Sequence, residues 1–224
     1  DLHSFPTRRS SDLHIADFPS SARTDATAFA AASKLYVVGG YVQEGTKNYT
    51  KQTWQYDPAL NTWEQKANFP GGAREFAAGF GIGDKGYVGT GKGKVTVFNN
   101  PLTVYFSDFY EYNALTNTWT QKANYPGPTR HGAFSFTIRG NGFIGGGYNA
   151  SAGYRDLYMY DHLNNQWVEK ADYPGYGFAP HHFGKRFHFS TLDHGYVIQD
   201  LYLTREGVVP QTMWRYVKKQ YCPN

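Results

Sequence analysis

The sequence of 224 residues contains a single cysteine, Cys222, which excludes an internal disulfide framework and any metal site built from several cysteines. Charged residues make up only 18% of the chain, below the ~25% that is usual for soluble proteins. No apolar run approaches the ~18 residues of a membrane-spanning helix. The net charge of +4 comes from scattered Lys and Arg rather than from a basic stripe. We therefore expect neither a membrane span nor a nucleic-acid partner.

Aromatic residues and glycine are abundant. The chain has 18% aromatics, among them 19 Tyr, and 25 Gly. This composition argues against disorder, which goes with few aromatics and high net charge. It also argues against helical bundles, which are rich in Ala, Leu, Glu and Lys. Tyr, Phe, Trp, Val and Gly together predict an all-β chain of short strands and tight turns.

The first thirteen residues resemble a translated sequencing adapter. The segment Asp1–Leu13, DLHSFPTRRSSDL, agrees at every position with the in-frame translation of a common short-read adapter. We therefore expect residues 1–13 to be non-native and disordered, with native coding sequence lost upstream. Arg8 and Arg9 are then not evidence for an export signal or a nucleic-acid arm. A natural basic, Ser-rich tail is the alternative.

An internal repeat covers most of the remaining chain. The pattern Y-[DN]-x-x-x-N-x-W occurs three times, at 56–63, 112–119 and 160–167. An aromatic-Pro pair follows each copy, and a fourth pair precedes the first copy; the prolines are Pro19, Pro70, Pro126 and Pro174. An arginine stands four residues after the first three prolines, at Arg23, Arg74 and Arg130. A period of about 50 residues is typical of propeller and solenoid repeats.

Each unit is predicted to contain four strands. A small apolar inner strand follows the arginine, and an aromatic-Val/Ile-Gly step ends the second strand. Alternating aromatics form the third strand at period two, and an Asp/Asn-to-Asn turn leads to a fourth strand that begins at the Trp. The residues that we assign to this structural signature are Gly39, Gly40, Tyr56, Trp63, Gly89, Gly91, Tyr112, Trp119, Gly145, Gly146, Tyr160 and Trp167.

These motifs resemble the kelch repeat of bacterial kelch proteins and of the galactose-oxidase-like central domain. The resemblance implies a β-propeller in which each repeat is one four-stranded blade. We expect residues 14–224 to form about four blades, with repeats near 20–70, 71–126, 127–174 and a degenerate 175–224. Because kelch rings have six or seven blades, we expect a fragment of a longer ring. A complete four-bladed ring is the alternative.

The fourth repeat departs from the pattern. Phe178 replaces the arginine, Gln199-Asp200 replaces the Gly step, and the final Trp strand is missing. We therefore expect the fourth blade to be irregular and incomplete, with the missing strand supplied by the lost N-terminal part.

In a propeller, the loops after the second and fourth strands share one face. We predict ligand binding there, through second-to-third loops at 41–51, 92–107, 148–155 and 199–211, although plain solvated connections are the alternative. Arg23, Arg74 and Arg130 are candidate ligands for a carboxylate or phosphate, with Glu75 and His131 beside them. The structural alternative is that each Arg pairs with a carboxylate or carbonyl of the next blade.

Histidines cluster only in the fourth repeat, at His181, His182, His188 and His194, near Asp193. Their spacing matches no defined zinc pattern, and loop histidines are the simpler interpretation. We predict no metal site, no cofactor and no catalytic residues. Copper carbohydrate oxidases of the kelch type use a crosslinked cysteine, and Cys222 lies outside every blade motif.

Our first functional interpretation is a non-catalytic propeller that binds a protein or glycan through its loop face. The first alternative is a sugar-acting enzyme, because kelch propellers include sialic-acid mutarotases, which need only an Arg and an acid or base in the channel. The second alternative is a structural spacer without a ligand. The resemblance to envelope kelch proteins predicts a secreted, periplasmic or cell-envelope location.

Overall fold

The computed structural model describes residues 15–42 and 48–172, together with the backbone of five later strands between 186 and 217. This part of the chain consists of strands and turns and contains no helix. It accordingly offers no helix long and apolar enough to cross a membrane. The adapter-like residues 1–13 lie outside the described ranges.

Three consecutive four-stranded antiparallel sheets form the first, second and third blades, each ordered from its inner to its outer strand. The first blade contains β2 Thr27–Ala31, β3 Lys34–Val38, β6 Thr53–Asp57 and β7 Thr62–Lys66. The second contains β8 Ala78–Ile82, β9 Lys85–Gly89, β12 Phe109–Asn113 and β13 Thr118–Gln121. The third contains β14 Phe134–Ile138, β15 Asn141–Gly145, β16 Leu157–Asp161 and β17 Gln166–Lys170. The prediction of four-stranded blades is confirmed.

The fourth blade has three strands in its sheet, in the order β18–β19–β22. These strands are β18 Arg186–Ser190, β19 His194–Gln199 and β22 Thr212–Val217. A separate two-stranded hairpin, β20 Tyr202–Thr204 with β21 Gly207–Val209, lies in the loop between them. Three strands of this blade are thus described, and its incompleteness stays a prediction.

Two predicted loops contain further strands. The first blade carries a small sheet of β1 Arg23–Thr24, β4 Tyr41–Val42 and β5 Asn48–Tyr49. In the second blade, the connection predicted as a loop over 92–107 is a hairpin of β10 Lys92–Val97 and β11 Asn100–Tyr105. Its turn residues Phe98 and Asn99 both have positive φ, at 47° and 63°. This pair of angles is typical of a type I′ turn, which matches the twist of the strands it joins.

Neighbouring blades pack by inserting a phenylalanine against a glycine. Phe29 of β2 lies where a Cβ on Gly86 of β9 would be, and Phe80 of β8 occupies the same position against Gly142 of β15. Both phenylalanines are buried and stack on a tyrosine of their own second strand. The glycine in the second strand is therefore required by close packing of the next blade.

The Y-[DN]-x-x-x-N-x-W motif joins each blade to the linker before it. In the second blade, the Tyr112 hydroxyl donates to Asn117 Oδ1 at 2.8 Å, and the same oxygen accepts the Ala67 N–H at 2.8 Å. The Trp119 indole N–H donates to the Ala67 carbonyl at 2.9 Å. We call this set the linker clamp. Its other copies are Tyr56–Asn61–Trp63 on Ala16 and Tyr160–Asn165–Trp167 on Ala123.

The first polar residue of the motif caps the turn. Asp57 Oδ1 accepts the N–H groups of Ala59 at 2.9 Å and Leu60 at 3.3 Å. Asn113 and Asp161 make the equivalent pairs of bonds in the next two blades. The clamp asparagine at the end of the turn has a φ near +53°, a region that Asn tolerates better than most residues.

Replacing Asn117 with Ala should destabilise the protein by about 2–3 kcal/mol, because it removes two hydrogen bonds and places Ala in the left-handed region. Urea denaturation followed by tryptophan fluorescence measures this change. Asn124→Ala is the matched control, since Asn124 is exposed. Equal stability of the two variants would contradict the role of the clamp.

Candidate functional site

The candidate site lies on the face where the second-to-third loops meet the starts of the inner strands. Isolated bridges pair Glu75 with Lys92 and His131 with Tyr148. Each bridge joins the residue after a repeat arginine to the residue that opens the second-to-third loop. The two loop types therefore share one face, as the propeller interpretation predicts.

A chain of backbone hydrogen bonds connects the blades at this face. Phe76 N–H donates to the Asp25 carbonyl at 2.8 Å, and Gly132 N–H donates to the Phe76 carbonyl at 2.9 Å. Asp25, Phe76 and Gly132 each stand two residues after a repeat arginine, and all three have positive φ. The left-handed backbone conformation recurs here, where the chain turns from the linker into the inner strand; it is unfavourable for Asp25 and Phe76 but not for Gly132.

Arg74 is buried and paired within its own blade. Its side chain is 1% exposed and donates to both carboxylate oxygens of Asp108, with 2.8 Å between Nη2 and Oδ2. It also donates to the Thr90 carbonyl at 2.9 Å. The guanidinium lies between the rings of Phe69 and Phe106, at 4.7 and 3.9 Å from their centroids. Burial lowers the pKa of Arg74, and the bonds to Asp108 oppose that shift.

Arg130 repeats this arrangement in the third blade. It is 0% exposed, forms a bidentate pair with Asp156, and donates to the Gly146 carbonyl at 2.8 Å. Tyr125 and Tyr154 cover its two faces, at 4.7 and 4.2 Å from the ring centroids. The geometry of Arg74 and Arg130 favours the structural alternative, with one modification: each carboxylate belongs to the same blade. Ligand binding by either arginine stays a prediction.

Arg23 differs from both. It is partly exposed, and its hydrogen-bond acceptors are the neutral groups of Ser20, Gly39 and Gln52. Burial lowers its pKa. Of the three predicted arginines, it is the one that forms no ion pair within the described residues.

Glu75 and Lys92 form an ion pair on this loop face, with 3.1 Å between Nζ and Oε1. Glu75 is only 7% exposed. Burial raises the pKa of its carboxyl group, Lys92 opposes the shift, and Asp25 adds to it. Glu75 therefore holds a proton to a higher pH than an ordinary glutamate does.

His131 is 4% exposed and lies within 3.0 Å of the Tyr148 carbonyl through Nδ1. A carbonyl accepts only, so Nδ1 carries the proton and Nε2 is the acceptor nitrogen. Burial, with help from Lys92, lowers the pKa of His131 to about 4, against the opposing effect of the bond to Tyr148. The imidazole is accordingly neutral at pH 7 and can accept a proton at Nε2.

Aromatic rings surround these two groups. Phe76, Tyr105 and Tyr148 lie 4.0–5.7 Å from the His131 ring. Tyr41 and Tyr49 stack edge to face at 5.3 Å nearby. Burial raises the pKa of Tyr49, and Glu75 adds to the shift, which places this tyrosine near the ion pair. Such rings can pack against the apolar faces of a sugar while their hydroxyls form hydrogen bonds.

Comparison with known proteins gives one family match and several relatives. A family model described as the Kelch motif matches residues 22–70. The N-acetylneuraminate epimerase of Salmonella typhi is 47% identical over 57 residues, 25% of this chain and 14% of that protein. The enzyme of the same name from Haemophilus influenzae strain 86-028NP is 28% identical over 159 residues, 58% of this chain and 42% of that protein. The chain therefore spans less than half the length of these curated relatives.

A solved structure described as "Structure of YjhT" superposes with a TM-score of 0.66. The match covers 82% of this chain and 60% of that one at 20% identity, so it bears on the fold alone. The described blades have the fold of a kelch-type β-propeller.

The kelch blades contain site residues that the sequence patterns did not single out. Asp108 and Asp156 each precede the third strand by one residue, two positions before the first of its alternating tyrosines. Alignment of the second and third repeats on that tyrosine places the two aspartates at one position, where the first repeat has Gln52. Lys92 and Tyr105 fall within a predicted loop, because the sequence does not indicate the β10–β11 hairpin. This hairpin places Lys92 against Glu75 and Tyr105 against His131.

The histidine cluster of the fourth kelch repeat cannot be placed in the site. The side chains of His181, His182, His188 and His194 lie outside the described residues. Where side chains are described, between residues 15 and 172, no group of three or more His, Cys, Asp or Glu could hold a metal ion.

Replacing Arg74 with Met should lower the free energy of unfolding by about 3–5 kcal/mol, because Asp108 then keeps a partly buried charge without a partner. Chemical denaturation measures the loss. Glu64→Gln is the control: the Glu64 side chain is 64% exposed, and its ion pair with Lys66 should contribute no more than about 1 kcal/mol. A change at Arg74 as small as that of the control would argue against an architectural role.

Proposed function

We propose that this chain is part of a sugar-acting kelch propeller that interconverts the anomers of an acidic sugar of the N-acetylneuraminate type. The proposal corresponds to the alternative function predicted from the sequence. Two observations support it over a purely binding role: the similarity to N-acetylneuraminate epimerases of Salmonella and Haemophilus, and the position of Glu75 and His131 on one face of adjacent blades, each under the influence of Lys92. The second observation carries the mechanism.

Anomer exchange needs an acid at the ring oxygen of the sugar and a base at its anomeric hydroxyl. The acid gives a proton to the ring oxygen while the base takes the proton of the anomeric hydroxyl. The bond between the anomeric carbon and the ring oxygen breaks, and a carbonyl forms at that carbon. Rotation and closure on the other face return both protons, so that the reaction consumes no co-reactant.

The pKa shifts of Glu75 and His131 run in the directions that this reaction requires. The raised pKa of Glu75 favours its neutral, proton-donating form. The pKa of His131, lowered to about 4, favours the neutral imidazole with Nε2 as acceptor. Opposite shifts of two neighbouring groups are a common sign of an acid and a base at one site. We assign Glu75 as the acid and His131 as the base.

Lys92 couples the two groups. It bonds Glu75, lies 5.1 Å from the ring centroid of Phe76, and helps to keep His131 neutral. When Glu75 is protonated, Lys92 is left with a positive charge beside the bound sugar. An anionic sugar would balance that charge, which a neutral sugar cannot do.

Binding of a protein or glycan without turnover is the second candidate. The β10–β11 hairpin favours it, because Phe98 at its tip is 95% exposed and Val95, Val97 and Leu102 are exposed beside it. Exposed apolar groups of this kind often mark interaction surfaces. A location in the periplasm, cell envelope or outside the cell stays a prediction.

The activity should depend on Glu75 and should be highest between the pKa of His131, about 4, and the raised pKa of Glu75. Replacing Glu75 with Gln removes the proton donor and should slow enzyme-dependent anomer exchange by about 100-fold or more. In the wild type, the rate should fall below about pH 4, where His131 becomes protonated, and should also fall once the pH exceeds the raised pKa of Glu75. Exchange NMR of N-acetylneuraminate, with the spontaneous rate subtracted, measures both effects.

Glu64→Gln, on the outer strand β7, is the matched control and should leave the rate unchanged. Wild-type protein that does not exceed the spontaneous rate would refute the proposed reaction. A Glu75→Gln variant with the full rate would refute the assignment of the acid. An acidic limb near pH 6.5, the ordinary pKa of His, would show that His131 is not the base.

A further inference from the structure

The three repeat arginines occupy equivalent positions, but Arg23 lacks the carboxylate partner that Arg74 and Arg130 have among the described residues. The residue just before the third strand is Asp108 in the second blade and Asp156 in the third, and each pairs with its arginine. In the first blade this residue is Gln52. Arg23 therefore faces an amide where its counterparts face a carboxylate, and it forms no ion pair with any described residue.

The ring that covers the guanidinium also differs. Phe106 and Tyr154 stand two residues before the paired aspartates and lie over the arginines at 3.9 and 4.2 Å. The residue at this position in the first blade is Thr50. Phe18 covers one face of Arg23 at 4.8 Å, and no described aromatic ring covers the other.

The hydrogen bonds of Arg23 are incomplete. Nη2 donates to Ser20 Oγ and to Gln52 Oε1, both at 2.7 Å, and Nη1 donates to the Gly39 carbonyl at 3.3 Å. These contacts use three of the five N–H groups of a guanidinium. The Nε atom is buried and has no partner. A buried donor without an acceptor is costly unless another group completes the site.

Arg23 is also linked to the proposed acid through backbone contacts. Gly39 accepts from Arg23, and its neighbour Gly40 donates to the carbonyl of Arg74 at 2.8 Å. Glu75 follows Arg74 directly in sequence. Arg23 and Glu75 thus belong to the same loop face of two adjacent blades.

We propose that Arg23 binds the carboxylate of the acidic sugar. Gln52 and Thr50 stand where the other two blades have an aspartate and an aromatic ring, so that Arg23 remains available to a ligand. The identity of the ligand rests on the proposed function. Guanidinium groups bind carboxylates with strong, directional hydrogen bonds. The assignment makes Arg23 the residue that selects an acidic over a neutral sugar.

The test is NMR of the arginine side chains in isotope-labelled protein titrated with N-acetylneuraminate at constant ionic strength. The Nε–H signal of Arg23 should shift with saturation, and those of Arg74 and Arg130 should not. Neutral N-acetylmannosamine should leave Arg23 unmoved. An unmoved Arg23 signal with N-acetylneuraminate would overturn the proposal.

Gln52→Asp is the decisive variant, because it restores the pair that the other two blades already contain. It should keep or raise the thermal stability while weakening N-acetylneuraminate binding by about tenfold or more. Arg23→Gln should weaken binding similarly. Unchanged affinity in a folded Gln52→Asp protein would refute the role of Arg23.

The outcomes also separate this inference from the proposed reaction. Anomer exchange without a shift at Arg23 would overturn the carboxylate site and leave the reaction standing. A saturable shift at Arg23 without faster exchange would support the carboxylate site and leave N-acetylneuraminate as a bound ligand rather than a substrate.

Discussion

The linker clamp is the interaction on which the arrangement of blades depends. One asparagine oxygen accepts from a tyrosine hydroxyl in its own blade and from a backbone N–H of the preceding linker, while the tryptophan two residues later bonds the carbonyl of that same linker residue. The clamp holds each linker against the outer edge of the next blade. It also sets the linker aromatic, such as Phe69, between Trp119 and the guanidinium of Arg74. The ring of Phe69 thus connects the clamp at the outer edge of the blade with the buried arginine before the inner strand.

In the second and third repeats, the arginine and the residue that follows it have different surroundings. Arg74 and Arg130 fix the start of the inner strand through internal carboxylates. The next residue differs between blades: it is Glu75 in the second and His131 in the third. Both lie on the loop face and have shifted pKa values. Architecture and chemistry can therefore change independently: the arginine holds the turn, and its neighbour is the residue that we propose as the acid or the base. Arg23 is the exception, because its blade lacks the carboxylate that would commit it to architecture.

The sequence predicted the blades well because their strands carry local signals. The alternating aromatic residues lie in strands β6, β12 and β16. The turn asparagines and the tryptophans come after these strands at fixed offsets. The β10–β11 hairpin was missed because Gly93 and Asn100 resemble a loop in composition, whereas its register comes from a Phe98–Asn99 turn of unusual backbone conformation. The pairing of Arg74 with Asp108, 34 residues away, follows from tertiary structure, so the sequence alone left both of its roles open. The shifts of Glu75 and His131 arise from burial, which no local pattern reports.

A structure of the protein with N-acetylneuraminate bound would test the central claim most directly, which is that the mouth of the first three blades is the site of sugar chemistry. The account predicts the anomeric carbon and ring oxygen beside Glu75 and His131, and the carboxylate of the sugar on Arg23. A sugar bound against the outer surface of the β10–β11 hairpin, or with its carboxylate on Arg74 or Arg130 in place of Asp108 or Asp156, would contradict it.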